Sequence, residues 1–560
     1  MQLIPITIIF IIAYIYSAIL NKKTTYTIPL TFLTLIITTI IFGYLNILKY
    51  VDIFLIVASL IALFYIYHKK LYKNKMFFNY QTLMFLIFCI FITILNYKFT
   101  IFEWDAFSHW ATAAKYMIQN NVFFNQSSYP PGITSLQYVY TKLTFSSFNE
   151  SYLVNALLMF TMSLFMPLFD LIKNNHKFIP NFLGLILFMI MPLTFFTNLY
   201  GSVYVDCILG LELAFILFNY YSNKNKNFKT ILIILGLFTI VNTKEIGLVL
   251  ACSFVLCLII DKILKKEITI KKILLFMFVI AVSYLSWNIY LKFNPAEKVI
   301  GRTDKMSLIS ELLTKEKLTY MIEIANNFLN YISNQNIQMN ILNVSFINFI
   351  VISIFILLLF KKNNSIKDII IIAICYLGFL AFSYMCFFSE EEARILASLD
   401  RYIYTLYIAI IFLIMAIIMS KTNVNISVIL LGYIILFGNF TAIEYNLLFK
   451  PYSSIKNKEY RLEYDQAKTI KETAKKGSKI YFLDTNNTPY AYYLARYENI
   501  DMLFSNPSYS KDINEEIINK YDYLYVYSYS KELKEKFGEL KEFTLYKIEK
   551  NKFKEVSNEK

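Results

Sequence analysis

The chain has 560 residues, of which 57% are hydrophobic and only 17% are charged, and its mean hydropathy is +0.50. A soluble chain of this length is usually about a quarter charged, so this composition excludes an ordinary cytosolic enzyme and a disordered scaffold and indicates an integral membrane protein. The formal net charge of +15 comes from Lys residues that cluster between apolar runs, which is typical of a membrane topology signal, and we expect no nucleic-acid partner.

Apolar runs long enough to cross a bilayer recur along the chain and predict about 14 transmembrane helices. The first run starts without a basic segment before it, so no cleavable signal peptide is expected. The run at 230–242 is short, and it could form a broken pair with the next one. The predicted spans are 3–20, 28–48, 52–67, 76–97, 151–172, 178–196, 203–221, 230–242, 246–262, 273–293, 344–360, 369–388, 403–420 and 426–444.

Lys residues follow the first, third, seventh, ninth and eleventh predicted spans, and alternating spans put all these loops on one side of the membrane. That side is the cytoplasm by the positive-inside rule. We therefore expect a multi-pass protein of the inner or plasma membrane, with the long loop 98–150 and the tail outside. The predicted division is N-terminal helices 1–97, first outer loop 98–150, transmembrane core 151–444 and soluble domain 445–560.

The tail is rich in charge and alternates predicted strands with predicted helices. The strands are expected near 479–483, 500–504, 522–528 and 542–549, and the helices near 460–476, 489–497, 512–519 and 531–537. This alternation predicts a small α/β domain. Because no glycine-rich phosphate loop follows the first strand, a scaffold or acceptor-docking role is favoured over nucleotide binding.

The first outer loop holds two acidic residues, one on each side of a tryptophan. Glu103 and Asp105 flank Trp104, and His109 lies one helical turn after Asp105. A Trp-anchored interfacial helix would explain the tryptophan but not two carboxylates, which are costly at a membrane surface unless they are used or paired. A carboxylate here could act as a general base, or the pair could hold a divalent cation such as Mg²⁺ or Mn²⁺, so cofactor use stays open.

Three further candidates stand at predicted helix ends on the same side. Tyr129 precedes a Pro-Pro pair, which forces an extended bend and could equally be a plain loop terminator. Asp206 could cap the span that it begins or line a cavity with Asp105. Lys244 could be neutralised by the adjacent Glu245 or bind a lipid phosphate.

Two arginines flank the start of a late span. Arg394 and Arg401 are seven residues apart and are expected on one helix face. Surface pairing with nearby glutamates is the commoner role of such arginines. Their planar, bidentate side chains also suit phosphate binding.

Taken together, these residues resemble the GT-C superfamily of membrane glycosyltransferases, in particular bacterial relatives of protein O-mannosyltransferases and aminoarabinose transferases. The resemblance runs over roughly 98–445 and implies a polyprenyl-phosphate-linked sugar donor and an extracytoplasmic glycan, lipid or protein acceptor. The matching elements, in chain order, are Glu103-x-Asp105, Tyr129-Pro130-Pro131, the Tyr-Val-Asp ending at Asp206, Thr243-Lys244 and Arg401-Tyr402.

In this hypothesis Asp105 takes the proton of an acceptor hydroxyl, Glu103 and His109 orient it or bind a cation, and Lys244, Arg394 and Arg401 stabilise the leaving lipid phosphate. An O-antigen-type ligase or polymerase would share the donor, but its charged residues are expected in a large late loop. A transporter without covalent chemistry predicts ionisable groups inside the membrane, and Glu212 is one such residue.

Overall fold

The computed structural model describes the chain with several gaps and divides it into two compact units. The helical unit comprises residues 1–97, 128–290 and 304–450, and the mixed unit comprises residues 98–127, 291–303 and 451–560. The described residues are 2–71, 76–97, 99–222, 226–264, 270–295, 315–337, 344–360, 363–448, 458–462, 464, 467, 470–506, 509–549 and 552–556.

Helices dominate the described part of the chain. In chain order they are α1 (Leu3–Leu20), α2 (Thr24–Tyr44), α3 (Val51–His68), α4 (Tyr80–Leu95), α5 (Ala111–Asn120), α6 (Gly132–Leu143), α7 (Glu150–Phe169), α8 (Phe178–Ile190), α9 (Asp206–Ser222), α10 (Lys226–Thr243), α11 (Gly247–Leu264), α12 (Ile270–Phe293), α13 (Lys315–Asn334), α14 (Phe346–Leu359), α15 (Asn363–Cys386), α16 (Glu390–Arg394), α17 (Leu399–Lys421), α18 (Ile426–Phe437), α19 (Phe440–Ile443), α20 (Ile470–Thr473), α21 (Pro489–Glu498) and α22 (Lys531–Phe537).

Among the described residues, eight helices are long and apolar enough to cross a membrane, and one bent pair could add a ninth. The chain is therefore a helical protein of membrane character, and each apolar run read from the sequence coincides with a helix. Four further apolar helices are shorter than a full span. The broken pair is not where the sequence suggested: α10 is a continuous helix of 18 residues, and the break, a bend of 110°, separates Ile426–Phe437 from Phe440–Leu447.

The centre of the helical unit is α7. The apolar stretch of this helix is entirely buried, and α2, α4, α6 and α9 pack around it. Phe160 stacks on Phe32 of α2 with ring centroids 5.8 Å apart, and Phe165 stacks on Phe412 of α17 at 5.5 Å. These contacts fix α9 and α17, the two helices that begin with the charged residues of the candidate site.

The mixed unit contains a five-stranded sheet with the order β4-β3-β5-β6-β7. The first three are parallel to one another, and the last two join antiparallel. Its strands are β3 (Lys479–Asp484), β4 (Leu503–Phe504), β5 (Tyr523–Ser528), β6 (Thr544–Glu549) and β7 (Lys552–Glu555), while β1 (Asn336–Ile337) and β2 (Val344–Ser345) pair in the helical unit. Successive residues of β3 point to opposite faces, so Phe482 and Tyr481 enter two separate hydrophobic clusters.

The boundary between the units differs from the predicted division. Residues 98–127, predicted as part of an outer loop, fold together with the tail instead of standing as a separate domain. Residues 128–150 belong to the helical unit. The segment that carries Glu103 and Asp105 is therefore part of the same compact body as the α/β sheet.

Candidate functional site

Asp206 and Arg401 are brought together by a close approach of two helices. Both α9 and α17 start with an acidic first turn, and they run side by side in the same direction. A Cβ atom on Gly210 would lie 2.1 Å from the carbonyl oxygen of Thr405, so only glycine permits this distance between the backbones. One turn earlier on each helix, Nε of Arg401 lies 3.3 Å from Oδ2 of Asp206.

Lys244 completes the group from the turn between α10 and α11. Its Nζ donates to Oδ1 of Asp206 at 2.6 Å, and both side chains are buried. The turn is tight: a Cβ on Gly247 would lie 1.9 Å from the carbonyl oxygen of Ile240. Burial by itself lowers the pKa of the Lys244 ammonium, but the Asp206 carboxylate and the hydroxyls of Tyr402 and Tyr129 together outweigh this effect, and the pKa of Lys244 is raised. The lysine is therefore charged at neutral pH.

Tyrosine rings surround the three charged groups. The Nζ of Lys244 lies 4.6 Å from the ring centroid of Tyr402, and Cζ of Arg401 lies 4.5 Å from that of Tyr204. Both distances are within the range of a cation–π interaction. Tyr376 donates from its hydroxyl to the backbone carbonyl of Tyr402 at 2.9 Å, which holds the start of α17 in place.

The Pro-Pro segment is packed against the same turn. A Cβ on Gly132 would lie 2.5 Å from the carbonyl oxygen of Asn242, so the start of α6 touches the end of α10. Tyr129, just before this segment, is close enough to Lys244 for each group to shift the pKa of the other. Burial raises the pKa of the Tyr129 hydroxyl although the Lys244 ammonium opposes this change. Tyr129 is therefore neutral at physiological pH.

Asp206, Lys244 and Arg401 form one compact group, which we call the Asp206–Lys244–Arg401 cluster. Two cations contact one carboxylate, and all three side chains are largely buried. Two further acids, Glu245 and Asp400, stand next to the cluster in sequence, but both are exposed to solvent. A lysine and an arginine beside hydroxyl-bearing rings have the chemistry that binds phosphate groups.

Arg394 does not belong to this cluster. It ends the short helix α16, whereas Arg401 lies in the first turn of α17, so the expectation that both share one helix face is wrong. Leu396 and Ser398 between the two helices adopt left-handed backbone conformations, with φ of 50° and 59°, which separate the helices. Arg394 instead forms an ion pair with Glu323 of α13, and both side chains are about half exposed. This is a surface pair, the commoner role of such arginines.

In the mixed unit, the acidic segment enters a π-helical turn. The turn covers Ala106–Trp110, and the Ala111 N–H bonds the carbonyl of Ala106, five residues back. Such turns are rare in proteins, and those that do occur are often found at functional sites. Glu103 and Asp105 precede the turn, and both are partly exposed.

His109 lies inside this turn and is buried. Its ring packs edge-on against Trp110, with centroids 4.6 Å apart, and lies 6.1 Å from the ring of Phe124. Asp105, in contrast, is partly exposed. Within the mixed unit, His109 therefore contributes to a packed aromatic cluster.

The tail fixes the backbone immediately before the acidic residues. Arg461 donates to the carbonyl oxygen of Ile101 at 3.2 Å, and the hydroxyl of Tyr490 donates to that of Phe102 at 2.8 Å. Two successive carbonyls are thus held by side chains from the tail. This arrangement pre-positions Glu103, the next residue.

A buried ionic group stabilises the same region. Lys115 of α5 donates to the carbonyl oxygen of Tyr497 at 2.8 Å and lies 3.5 Å from Glu498. Arg461 pairs with the other oxygen of Glu498. Burial by itself raises the pKa of the Glu498 carboxyl, but Lys115 and Arg461 outweigh this effect and the pKa is lowered. The sequence offered no signal for this group because its members come from three distant segments.

The predicted site residues therefore fall into two sets. Asp206, Lys244 and Arg401, with Tyr129 beside them, form one cluster in the helical unit, while Glu103, Asp105 and His109 belong to the mixed unit. Among the described residues, no group of three or more His, Cys, Asp or Glu side chains is arranged to hold a metal ion.

No known family model, curated protein or solved structure matches the chain.

Proposed function

We propose that the protein is a membrane glycosyltransferase that moves a sugar from a polyprenyl-phosphate-linked donor to an acceptor on the outer side of the membrane. The observation that carries this proposal is the convergence of two buried cations, Lys244 and Arg401, on the carboxylate of Asp206. Lysine and arginine are the side chains that bind phosphate groups, and the donor lipid carries a phosphate. The position of the cluster at helix ends suits a donor held in the bilayer.

In the proposed reaction, the acceptor hydroxyl attacks the anomeric carbon of the donor sugar. Asp105 accepts the hydroxyl proton as the new C–O bond forms. The bond between the anomeric carbon and the phosphate oxygen breaks, and the electron pair stays on the lipid phosphate. Lys244 and Arg401 stabilise the charge that develops there. Glu103 would orient Asp105, or the two acids together would hold a divalent cation.

The experiment that tests the donor site compares two lipids that differ only in the anion. Full-length protein in lipid nanodiscs is titrated with a polyprenyl phosphate and with the matching polyprenol. Wild type should prefer the phosphate, and Lys244→Met should weaken its binding roughly ten-fold or more, the effect of losing a charge-assisted bond. Arg394→Ala, which removes only an exposed pair, should bind like wild type.

Equal affinity for phosphate and alcohol, or a loss in Arg394→Ala as large as that in Lys244→Met, contradicts the proposal. Melting curves of all variants identify any loss that is due to misfolding.

One observation favours a second candidate, a transporter. Glu212 lies six residues into α9 with 1% of its surface exposed, beside the hydroxyls of Thr239 and Thr243. An ionisable residue buried in a membrane helix usually marks a pathway. In proteoliposomes, a transporter would move a fluorescent polyprenyl-phosphate lipid across the bilayer and lose this activity in Glu212→Gln but not in Asp105→Asn. If the protein is the proposed transferase, neither the wild type nor these two variants should translocate the lipid.

A further inference from the structure

Two large aromatic side chains are exposed in the mixed unit, each beside partly buried rings, and one of them stands between the two acidic residues in the chain. Trp104 is 42% exposed and Tyr460 is 44% exposed, although both are large rings that proteins usually bury. Trp104 lies 5.2 Å from the ring of Tyr493, and Tyr460 lies 5.1 Å from Tyr464 and 5.3 Å from Tyr490. We call these five rings the aromatic surface.

The aromatic surface is held in place from beneath. Tyr490 packs on Phe107 at 5.7 Å, and its hydroxyl bonds the carbonyl of Phe102, two residues before Trp104. Arg461, next to Tyr460, bonds the carbonyl of Ile101. Rings that are fixed by hydrogen bonds and edge-to-face packing lose little entropy when a ligand binds. Exposed but ordered aromatic groups of this kind mark binding surfaces.

The two acidic residues beside Trp104 limit the class of ligand that the aromatic surface can bind. Glu103 and Asp105 flank Trp104 in the chain, and both are partly exposed. Carboxylates repel anionic phospholipids, which argues against a membrane-anchoring role. Pyranose sugars match both features, because one face of the ring presents weakly positive C–H groups to an aromatic face while the hydroxyls donate to carboxylates.

We propose that the aromatic surface binds a saccharide, with a pyranose ring stacked on Trp104 and sugar hydroxyls bonded to Glu103 or Asp105. That this saccharide is the acceptor of the transfer reaction rests on the proposed function. If the bound saccharide is the acceptor, then the acceptor is a glycan rather than a protein or a simple lipid. The binding itself depends only on the aromatic surface.

The test uses the full-length protein in lipid nanodiscs or in a detergent without sugar groups, since alkyl glycoside detergents would compete. The probes are maltotetraose, mannotetraose and chitotetraose, and binding is followed by saturation-transfer NMR and tryptophan fluorescence. At least one probe should bind at or below about 1 mM, the range that a few contacts provide. Trp104→Ala and Tyr460→Ala should each raise its dissociation constant at least ten-fold.

Phe543→Ala is the matched control, because Phe543 is 45% exposed in the same unit and packs on Tyr527, which is not one of the five rings. It should bind like wild type. Trp104→Phe keeps a stacking ring and should retain most of the affinity, which separates loss of stacking from loss of folding.

Three outcomes would overturn the proposal: no probe binds, binding is unchanged in Trp104→Ala and Tyr460→Ala, or tetramethylammonium displaces the probe. The last would mean that the rings and carboxylates bind a quaternary ammonium group. The lipid titration is independent of this test. If the protein binds a saccharide but not the phosphate lipid, the proposed function is wrong and this inference stands. If it binds the phosphate lipid but no saccharide, this inference is wrong and the proposed function stands.

Discussion

The Nζ of Lys244 lies 2.6 Å from Oδ1 of Asp206, although the two residues are 38 positions apart. The contact joins the end of one helix, α10, to the start of another, α9, and the second oxygen of the same carboxylate faces Arg401. One acid at the start of α9 thus contacts two cations, one from the turn after α10 and one from α17. Its loss should affect folding and ligand binding together.

We expect Asp206→Asn to lower the free energy of unfolding by about 3–5 kcal/mol, because it removes the carboxylate that both buried cations contact. The measurement is thermal or denaturant unfolding in nanodiscs. Asp400→Asn is the control, since Asp400 is exposed in the first turn of α17 and should change stability by about 0.5 kcal/mol or less. Equal effects in the two variants would mean that the Asp206 pairs contribute nothing to folding.

Gly210→Ala should disturb the cluster without touching a charged group. The new Cβ would lie 2.1 Å from the Thr405 carbonyl oxygen, so α9 and α17 must move apart, at a cost of about 1–3 kcal/mol. Gly378→Ala, in a helix where nothing lies within 4 Å of the added atom, should be neutral or slightly stabilising. Unfolding curves give the comparison, and a Gly210→Ala protein as stable as the Gly378→Ala protein would contradict the close approach.

Arg401→Lys keeps the charge but loses the planar fork that can bind phosphate with two hydrogen bonds. If Arg401 contacts the leaving phosphate, transfer should fall by an amount that corresponds to about 2–4 kcal/mol in the transition state. The assay follows sugar transfer in membranes that contain equal amounts of each variant. Arg394→Lys should transfer at the wild-type rate, and full activity of Arg401→Lys and Arg401→Ala would assign Arg401 a purely structural role.

Asp105→Asn preserves size and most hydrogen bonds but removes the ability to take a proton. As the general base, Asp105 should contribute about 100-fold or more to turnover, whereas donor-lipid binding should stay near wild type. Glu103→Gln is the comparison variant, and a larger loss there would exchange the two roles. Loss of activity with a chelator, and its recovery with Mg²⁺ or Mn²⁺, would favour metal binding by the two acids.

The mixed unit should lose stability in acid through Glu498. Its pKa is lowered in the folded state by Lys115 and Arg461, so the stabilisation is complete above the unfolded value of about 4.3 and is lost as the pH falls below it. Melting temperatures between pH 7 and pH 5 should therefore change little at this site, with a drop below about pH 4. Glu498→Gln should be less stable at pH 7 and should lack this contribution to the drop.

The membrane helices could be predicted from the sequence because length and apolarity are local properties. The strands of the tail could also be predicted from the sequence, and β3, β5 and β6 lie within a few residues of their predicted positions. A helix over 512–519 was wrong: only Ile518–Lys520 forms a short 3-10 turn. The side chains of Asp512 and Asn514 accept bonds from nearby backbone N–H groups and compete with helix formation.

The site was harder to predict because its pairs are distant in sequence. Next to Lys244, the sequence offered Glu245 as a partner, but the structure pairs the lysine with Asp206. Charge alone also could not separate Arg401, which enters the cluster, from Arg394, which stays at the surface. The left-handed backbone at Leu396 and Ser398 separates the two arginines, and neither residue type suggests such a conformation.

The mixed unit is assembled from segments that the ribosome makes far apart in time. Lys115 contacts the backbone of Tyr497, 382 residues later. At about 5–20 residues per second, the first segment waits roughly 20–80 s for its partner. During this interval Phe107 and Trp104 have no tail to pack against, so the acidic segment cannot take its final shape while the intervening helices are being inserted. Completion of the chain is therefore the event that switches this part of the protein from an open loop to an ordered surface.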